Sequence, residues 1–106
     1  MAIRIFVTGG TFDKEYNELT GELFFKDTHI QDLLKLGRSR LDISITILML
    51  IDSLEMSDEH RQLMVESCKH STEDKIVITH GTDTMTLTAS VLSRERNDKT
   101  IILTGA

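Results

Sequence analysis

The sequence predicts an α/β domain built on a mainly parallel, doubly wound sheet. Three observations lead there. Four short segments rich in Ile, Val, Leu and Thr are almost continuously apolar, as strands covered on both faces are. Helical segments with spaced apolar residues fall between them. Polar turns carrying Gly, Ser, Thr or Asp follow the first three strands, where an open sheet of this kind places its ligands.

The strands are read at 3–8, 43–51, Lys75–Thr79 and Thr100–Thr104. The first helix spans about 29–36. Thr28 and Gln31 have capping-box spacing, Ile30, Leu33 and Leu34 share a face, and Gly37 is a C-terminal stop. The second helix spans 58–70, with Leu63, Met64 and Cys68 facing inward. The third runs from 83 or 84 to about 96, with Met85, Ala89 and Leu92 in one stripe flanked by Thr88 and Val91. Strand and helix alternate, which calls for right-handed crossovers and a three-layer, flavodoxin- or Rossmann-like fold. One insertion interrupts the alternation. Residues 12–26 carry Thr20-Gly21 between Tyr16-Asn17-Glu18-Leu19 and Glu22-Leu23-Phe24-Phe25. They read as a β-hairpin flap after the first strand.

The bulk composition narrows the function. A chain of 106 residues without proline, repeat or low-complexity tract suits one domain. The net charge is −5, whereas nucleic-acid binding needs a basic stripe. Arg38 and Arg40 lie close together, but Asp42 follows at once. The single cysteine, Cys68, excludes an internal disulfide, and its place on a helix makes it a packing residue. The longest apolar run, 43–51, is too short to span a membrane as a helix. The N-terminal residues run straight into Thr8-Gly9-Gly10 and lack the form of a signal peptide. A cytoplasmic protein without membrane or nucleic-acid partner is therefore expected. His29, His60 and His70 are scattered on helices without paired spacing, so no metal site is expected.

The candidate chemistry lies just beyond the strands. Gly9 and Gly10 let the backbone turn sharply and turn N–H groups toward a ligand, or simply make a tight turn. Thr11 offers a hydroxyl that becomes a nucleophile if a base takes its proton. Asp52, Ser53 and Glu55 follow the second strand and could bind a ligand or only shape a turn. His80, Gly81, Thr82 and Asp83 follow the third. His80 is read as a packed, hydrogen-bonded histidine. Thr82 and Asp83 open the third helix, where both types are good caps. The same helix start favours an anionic group, while Asp83 could accept an ammonium. Such a site would hold both charges of a free amino acid.

Two segments, Thr8-Gly9-Gly10-Thr11 and Thr79-His80-Gly81-Thr82-Asp83-Thr84-Met85, resemble the signature segments of the L-asparaginases. Asp52-Ser53 and Met56, followed by a helix, resemble that family's substrate-binding turn. The resemblance implies hydrolysis of L-asparagine to L-aspartate and ammonia through a threonine acyl-enzyme, with no metal or organic cofactor. It implies Thr11 as the nucleophile, Tyr16 as the flap tyrosine that helps activate it, and Thr82 with Asp83 as a second reactive group. Ser53 would contact the substrate α-carboxylate and Asp83 its α-ammonium, with Gly10, Asp52, Glu55 and Gly81 around the ligand. Backbone N–H groups near Thr11 and Thr82 would hold the oxyanion.

The resemblance covers 1–106 as the family's N-terminal portion. The chain ends at the close of a strand, so truncation is expected, with the C-terminal domain absent. No lysine here matches the family's active-site lysine, so weak or undetectable activity is expected of this chain alone. A non-catalytic relative that binds a small amino acid remains open, as does glutamine as substrate. Homo-oligomer formation is expected, because missing parts would leave apolar surface or a strand edge uncovered. A nucleotide-binding module fits poorly. There is no G-x-G-x-x-G, no P-loop lysine, and Asp52 lies about twice the usual ~20 residues past the first glycines.

Overall fold

The computed structural model describes residues 2–10, 14–17, 19, 22–25, 34–35, 42–95 and 98–105. Among the described residues there are six strands: β1 (Ala2–Val7), β2 (Lys14–Asn17), β3 (Glu22–Phe25), β4 (Asp42–Ile47), β5 (Lys75–Thr79) and β6 (Thr100–Thr104). Helices α1 (Asp58–His70) and α2 (Met85–Ser93) flank the sheet, with a short 3-10 turn at Ser53–Glu55 before α1. Strands β4, β1, β5 and β6 lie side by side in that order and all run parallel. Strands β2 and β3 form a separate antiparallel pair with Tyr16 opposite Leu23. A parallel sheet flanked by helices is an α/β, Rossmann-like arrangement. The helix expected at 29–36 lies outside the described residues except for Leu34 and Lys35, which are helical.

Strand β4 is shorter than expected. It ends at Ile47, not residue 51, because its partner β1 ends at Val7. Leu48 N and Met49 N both donate to Val7 O, at 2.9 and 3.3 Å, so the backbone folds over the end of β1. Leu48, Met49 and Ile51 keep partial burial by packing on the core from a loop.

Helix α1 has the expected bounds. Ser57 caps it through a reciprocal pair: His60 N donates to Ser57 Oγ, and Ser57 N donates to His60 Nδ1 at 2.9 Å. Histidine here takes the part usually played by Glu or Gln. Asp58 and Glu59 in the first turn and Lys69 and His70 in the last complement the helix dipole. Its inner face is Arg61, Met64, Val65 and Cys68, at i, i+3, i+4 and i+7. Leu63, expected inward, is 45% exposed, one step off that stripe. Helix α2 starts later and ends sooner than expected. Its buried residues are Thr88 and Leu92, and Ala89 is exposed. Thr88 holds the inner position because its hydroxyl is used, as shown below.

The core joins Phe6, Met56, Met64, Val65, Cys68, Ile76, Ile78 and Leu92. Burial pushes the Cys68 thiol up to about 11, so it is an inert packing group. Just before β5, Glu73 ties the α1–β5 loop to β1. Ser71 Oγ donates to its carboxylate at 2.6 Å, and Arg4 donates through Nη2 at 2.9 Å and Nε at 3.3 Å. The Ser71 hydroxyl and then the Arg4 guanidinium hold Glu73 at about 2 against an ordinary 4.5. A depressed carboxyl pKa stabilises the fold above its unfolded value, and that contribution fades as pH falls from 4.5 toward 2. Urea unfolding of Glu73→Gln is thus expected to lose less stability than the parent chain between about pH 5 and about pH 3. Equal losses in both would refute this role.

Candidate active site

The crossover from β1 leads to β4 on one side, while the next leads from β4 past β1 to β5. The order therefore reverses at β1, and a crevice opens at the carboxyl ends of β1 and β5. Thr8 joins those two ends: its N and its Oγ1 both donate to Thr79 O, at 3.1 and 2.6 Å. Gly9 follows with φ of 105°, a conformation that side chains disfavour.

The loop after β4 is drawn over the same edge by Ile51 N donating to Thr8 O at 3.1 Å. Asp52 then caps the 3-10 turn, its Oδ1 accepting from Leu54 N at 3.1 Å. Its other oxygen meets Lys14 Nζ of β2 at 2.9 Å. That lysine contact, followed by the Leu54 N–H, lowers the Asp52 pKa. Ser53 is 1% exposed, and its hydroxyl has no hydrogen-bond partner among the described residues. Thr84 Oγ1 donates to Ser53 O at 2.8 Å, fixing the turn to the start of α2. A buried hydroxyl without a partner carries a desolvation penalty that a ligand can relieve.

The loop after β5 closes the crevice. Gly81 lies against Ser53, and a Cβ added there would stand 2.9 Å from Ser53 Oγ. His80 is fully buried behind the loop, its Nδ1 2.6 Å from Gly81 O and its Nε2 2.7 Å from Thr88 Oγ1. Burial foremost, with Arg61 adding to it, lowers the His80 pKa, while the Gly81 contact opposes the shift. The packed-histidine reading is correct. Thr82 and Asp83 are exposed and do not cap α2, whose N-cap is Thr84. Their expected place inside the helix start is thus corrected: the Thr84 hydroxyl is spent on Ser53 O, and helix begins only at Met85.

Gly10, Asp52, Ser53, Gly81, Thr82 and Asp83 all line one small cleft, together with Lys14 and Ile51. Glu55 is exposed on the 3-10 turn and is not among the lining residues. Thr11 lies outside the described residues, and of Tyr16 only the backbone position on β2 is described. The cleft presents an ammonium and two carboxylates around donors and glycine backbone, which suits a small zwitterion. A larger concavity, about 250 Å³, lies between α2 and β6 along Leu92, Lys99 and Leu103 and shares no lining residue with this cleft. Among the described residues no cluster of His, Cys, Asp or Glu could hold a metal ion, and no helix is long and apolar enough to cross a membrane.

Residues 2–106 match the family model described as asparaginase, N-terminal. The chain belongs to the asparaginase family. Asparaginases of known structure superpose on it closely. The thermostable L-asparaginase from Thermococcus kodakarensis is 32% identical with a TM-score of 0.81, over 99% of this chain and 34% of that one. L-asparaginase I from Vibrio cholerae O1 biovar eltor str. N16961 is 29% identical with a TM-score of 0.82, over 98% and 33%. The probable cytoplasmic L-asparaginase from Campylobacter jejuni is 34% identical with a TM-score of 0.78, over 98% and 34%. The chain spans about a third of the length of each asparaginase. No curated protein sequence matches it significantly.

The sequence reading of this asparaginase domain missed Lys14, Arg61, Thr84 and Thr88. Arg61 was within reach, since it stands three and seven residues before Met64 and Cys68 on the buried stripe. Lys14 was not, because only the packing of the β2–β3 pair brings it to Asp52.

Proposed function

We propose that residues 1–106 form the N-terminal part of an L-asparaginase-type amidohydrolase site and bind L-asparagine in the cleft between β1 and β5. The unpartnered Ser53 hydroxyl carries this reading, because it is buried in a cleft that also offers both signs of charge. Ser53 donates to the α-carboxylate and Asp83 accepts from the α-ammonium. Gly10 and Gly81 let backbone approach the ligand, and Asp52 completes the rim.

Thr11 Oγ, deprotonated with help from Tyr16, adds to the side-chain carbonyl carbon. Backbone N–H groups near Thr11 and Thr82 hold the oxyanion. The C–N bond then breaks, the nitrogen takes a proton and leaves as ammonia, and an ester to Thr11 remains. Water, activated near Thr82 and Asp83, cleaves that ester to L-aspartate and free Thr11. No cofactor enters the scheme. A homo-oligomer is the expected form, and a cytoplasmic setting is in keeping with the probable cytoplasmic L-asparaginase of C. jejuni.

The test is ammonia release from L-asparagine, beside calorimetric binding of L-aspartate. Slow release that falls to background in Thr11→Ala is expected, with binding retained in that variant. Saturable binding without release would limit the chain to the amino-acid-binding role. Neither binding nor release by folded chain would overturn the proposal.

A further inference from the structure

Arg61 is a charged residue in the interior of α1, 6% exposed, and it has no carboxylate partner among the described residues. Each of its three nitrogens nonetheless donates a hydrogen bond. Nη2 donates to Thr84 Oγ1 at 2.9 Å, Nε to Thr88 Oγ1 at 3.0 Å, and Nη1 to Met56 O at 3.2 Å. Each acceptor belongs to a segment that leads into the cleft or out of it.

Guanidinium can only donate, and a carbonyl can only accept, which fixes the direction of every bond between them. Thr84 receives from Arg61, so its hydrogen goes to Ser53 O at 2.8 Å. At the other end, Gly81 O must receive, so His80 Nδ1 carries the ring proton. Neutral His80 then accepts at Nε2 from Thr88, whose oxygen already receives from Arg61. Met56 Sδ, 3.8 Å from Thr88 Oγ1, is the weaker alternative acceptor. Two chains of bonds thus leave one guanidinium. One ends on the carbonyl of Ser53 and the other on the carbonyl of Gly81. In a trans peptide the N–H points opposite to the C=O. Drawing Gly81 O back to His80 therefore turns the Thr82 N–H away from His80, the direction an oxyanion or carboxylate donor needs.

We infer that Arg61 is a positioning residue that sets both ligand-facing loops from behind, through Thr84 to Ser53 and through Thr88 and His80 to the Gly81–Thr82 peptide. The inference rests on the proposed binding of an amino acid in this cleft, and it assigns specificity for the ligand's anionic end to a residue that never touches it. Lysine cannot replace arginine here, because one ammonium on a flexible stem does not reproduce a planar fork.

The experiment separates the network from the ligand. In ligand-free chain, nitrogen-detected NMR of the imidazoles reports the His80 tautomer. The parent chain is expected to show His80 held as Nδ1–H by Gly81 O. Thr88→Val is expected to keep that tautomer but to shift the Nε2 resonance as its hydrogen bond is lost, with faster hydrogen exchange at the Thr82 amide. Titration with L-aspartate then reads the loops. Thr84→Val and Thr88→Val are each expected to weaken binding about tenfold, the scale of one lost charge-assisted bond. Arg61→Lys is expected to weaken it further, and adding Thr84→Val to Arg61→Lys should then change little, since both act on one chain of bonds. Unchanged hydrogen exchange at the Thr82 amide in Thr88→Val, or fully additive effects of Arg61→Lys and Thr84→Val, would overturn the inference. Should the parent chain bind no L-aspartate, the binding proposal fails, and exchange at the Thr82 amide in Thr88→Val and Arg61→Lys alone decides whether Arg61 sets the loop. If Arg61→Lys does not fold, the near-isosteric threonine variants decide.

Discussion

Replacing Ile78 with alanine is expected to destabilise the chain by about 3–4 kcal/mol. Ile78 is fully buried on β5, an inner strand of the sheet between β1 and β6. It belongs to the same core as Phe6, Met64 and Leu92, so elements on the sheet and both helices share the space it fills. Truncation removes its transfer free energy and leaves a cavity that a hydrogen-bonded sheet cannot close. A domain of this size has a total stability of about 5–15 kcal/mol, so this one change consumes a large fraction. Ile102→Ala is the control. That side chain is 55% exposed on β6 and should cost less than about 1 kcal/mol. Urea midpoints measure both, with equal slopes expected for the three proteins. Similar losses at the two sites would mean that the core is not centred where β5 places it.

Gly81→Ala is expected to weaken L-aspartate binding about a hundredfold or more, a change on the scale of losing two good polar contacts. The new methyl would stand 2.9 Å from Ser53 Oγ and 3.1 Å from Ser53 Cβ. Ser53 cannot simply step aside. It is buried, its carbonyl is held by Thr84, and its turn is capped by Asp52. Relief must come from shifting one loop against the other, which dismantles the cleft, while the fold loses only about 1–3 kcal/mol from overpacking. Adding Ser53→Gly should restore stability by removing the clash, but not binding, because the buried hydroxyl goes with it. Calorimetry and urea unfolding on the single and double variants read the two effects separately. Full binding by Gly81→Ala would remove Ser53 from the ligand's path, and with it the observation on which the functional proposal stands.

Some features of this protein follow from the sequence alone. β5, β6 and α1 have the expected bounds, since apolar segments bounded by polar turns leave the backbone few ways to bury them. The loops after β1, β4 and β5 were expected to hold the chemistry, and six residues named there line one cleft. A strand-end rule suffices for that, because parallel strands deliver their carboxyl ends to one edge.

Other features were decided only by the tertiary structure. Strand β4 stops at Ile47 because its neighbour β1 stops at Val7, and a ladder needs both strands. Leu63 and Ala89 face out while Arg61 and Thr88 face in, against ordinary hydropathy. Hydropathy ranks a side chain by its cost in an apolar medium. Arg61 and Thr88 escape that cost because Thr84, Met56 and His80 supply partners from other segments. Lys14 reaches Asp52 across 38 residues of sequence for the same reason. Burial of a polar group is settled by whether distant segments meet it with hydrogen bonds, and only the assembled fold brings those segments together.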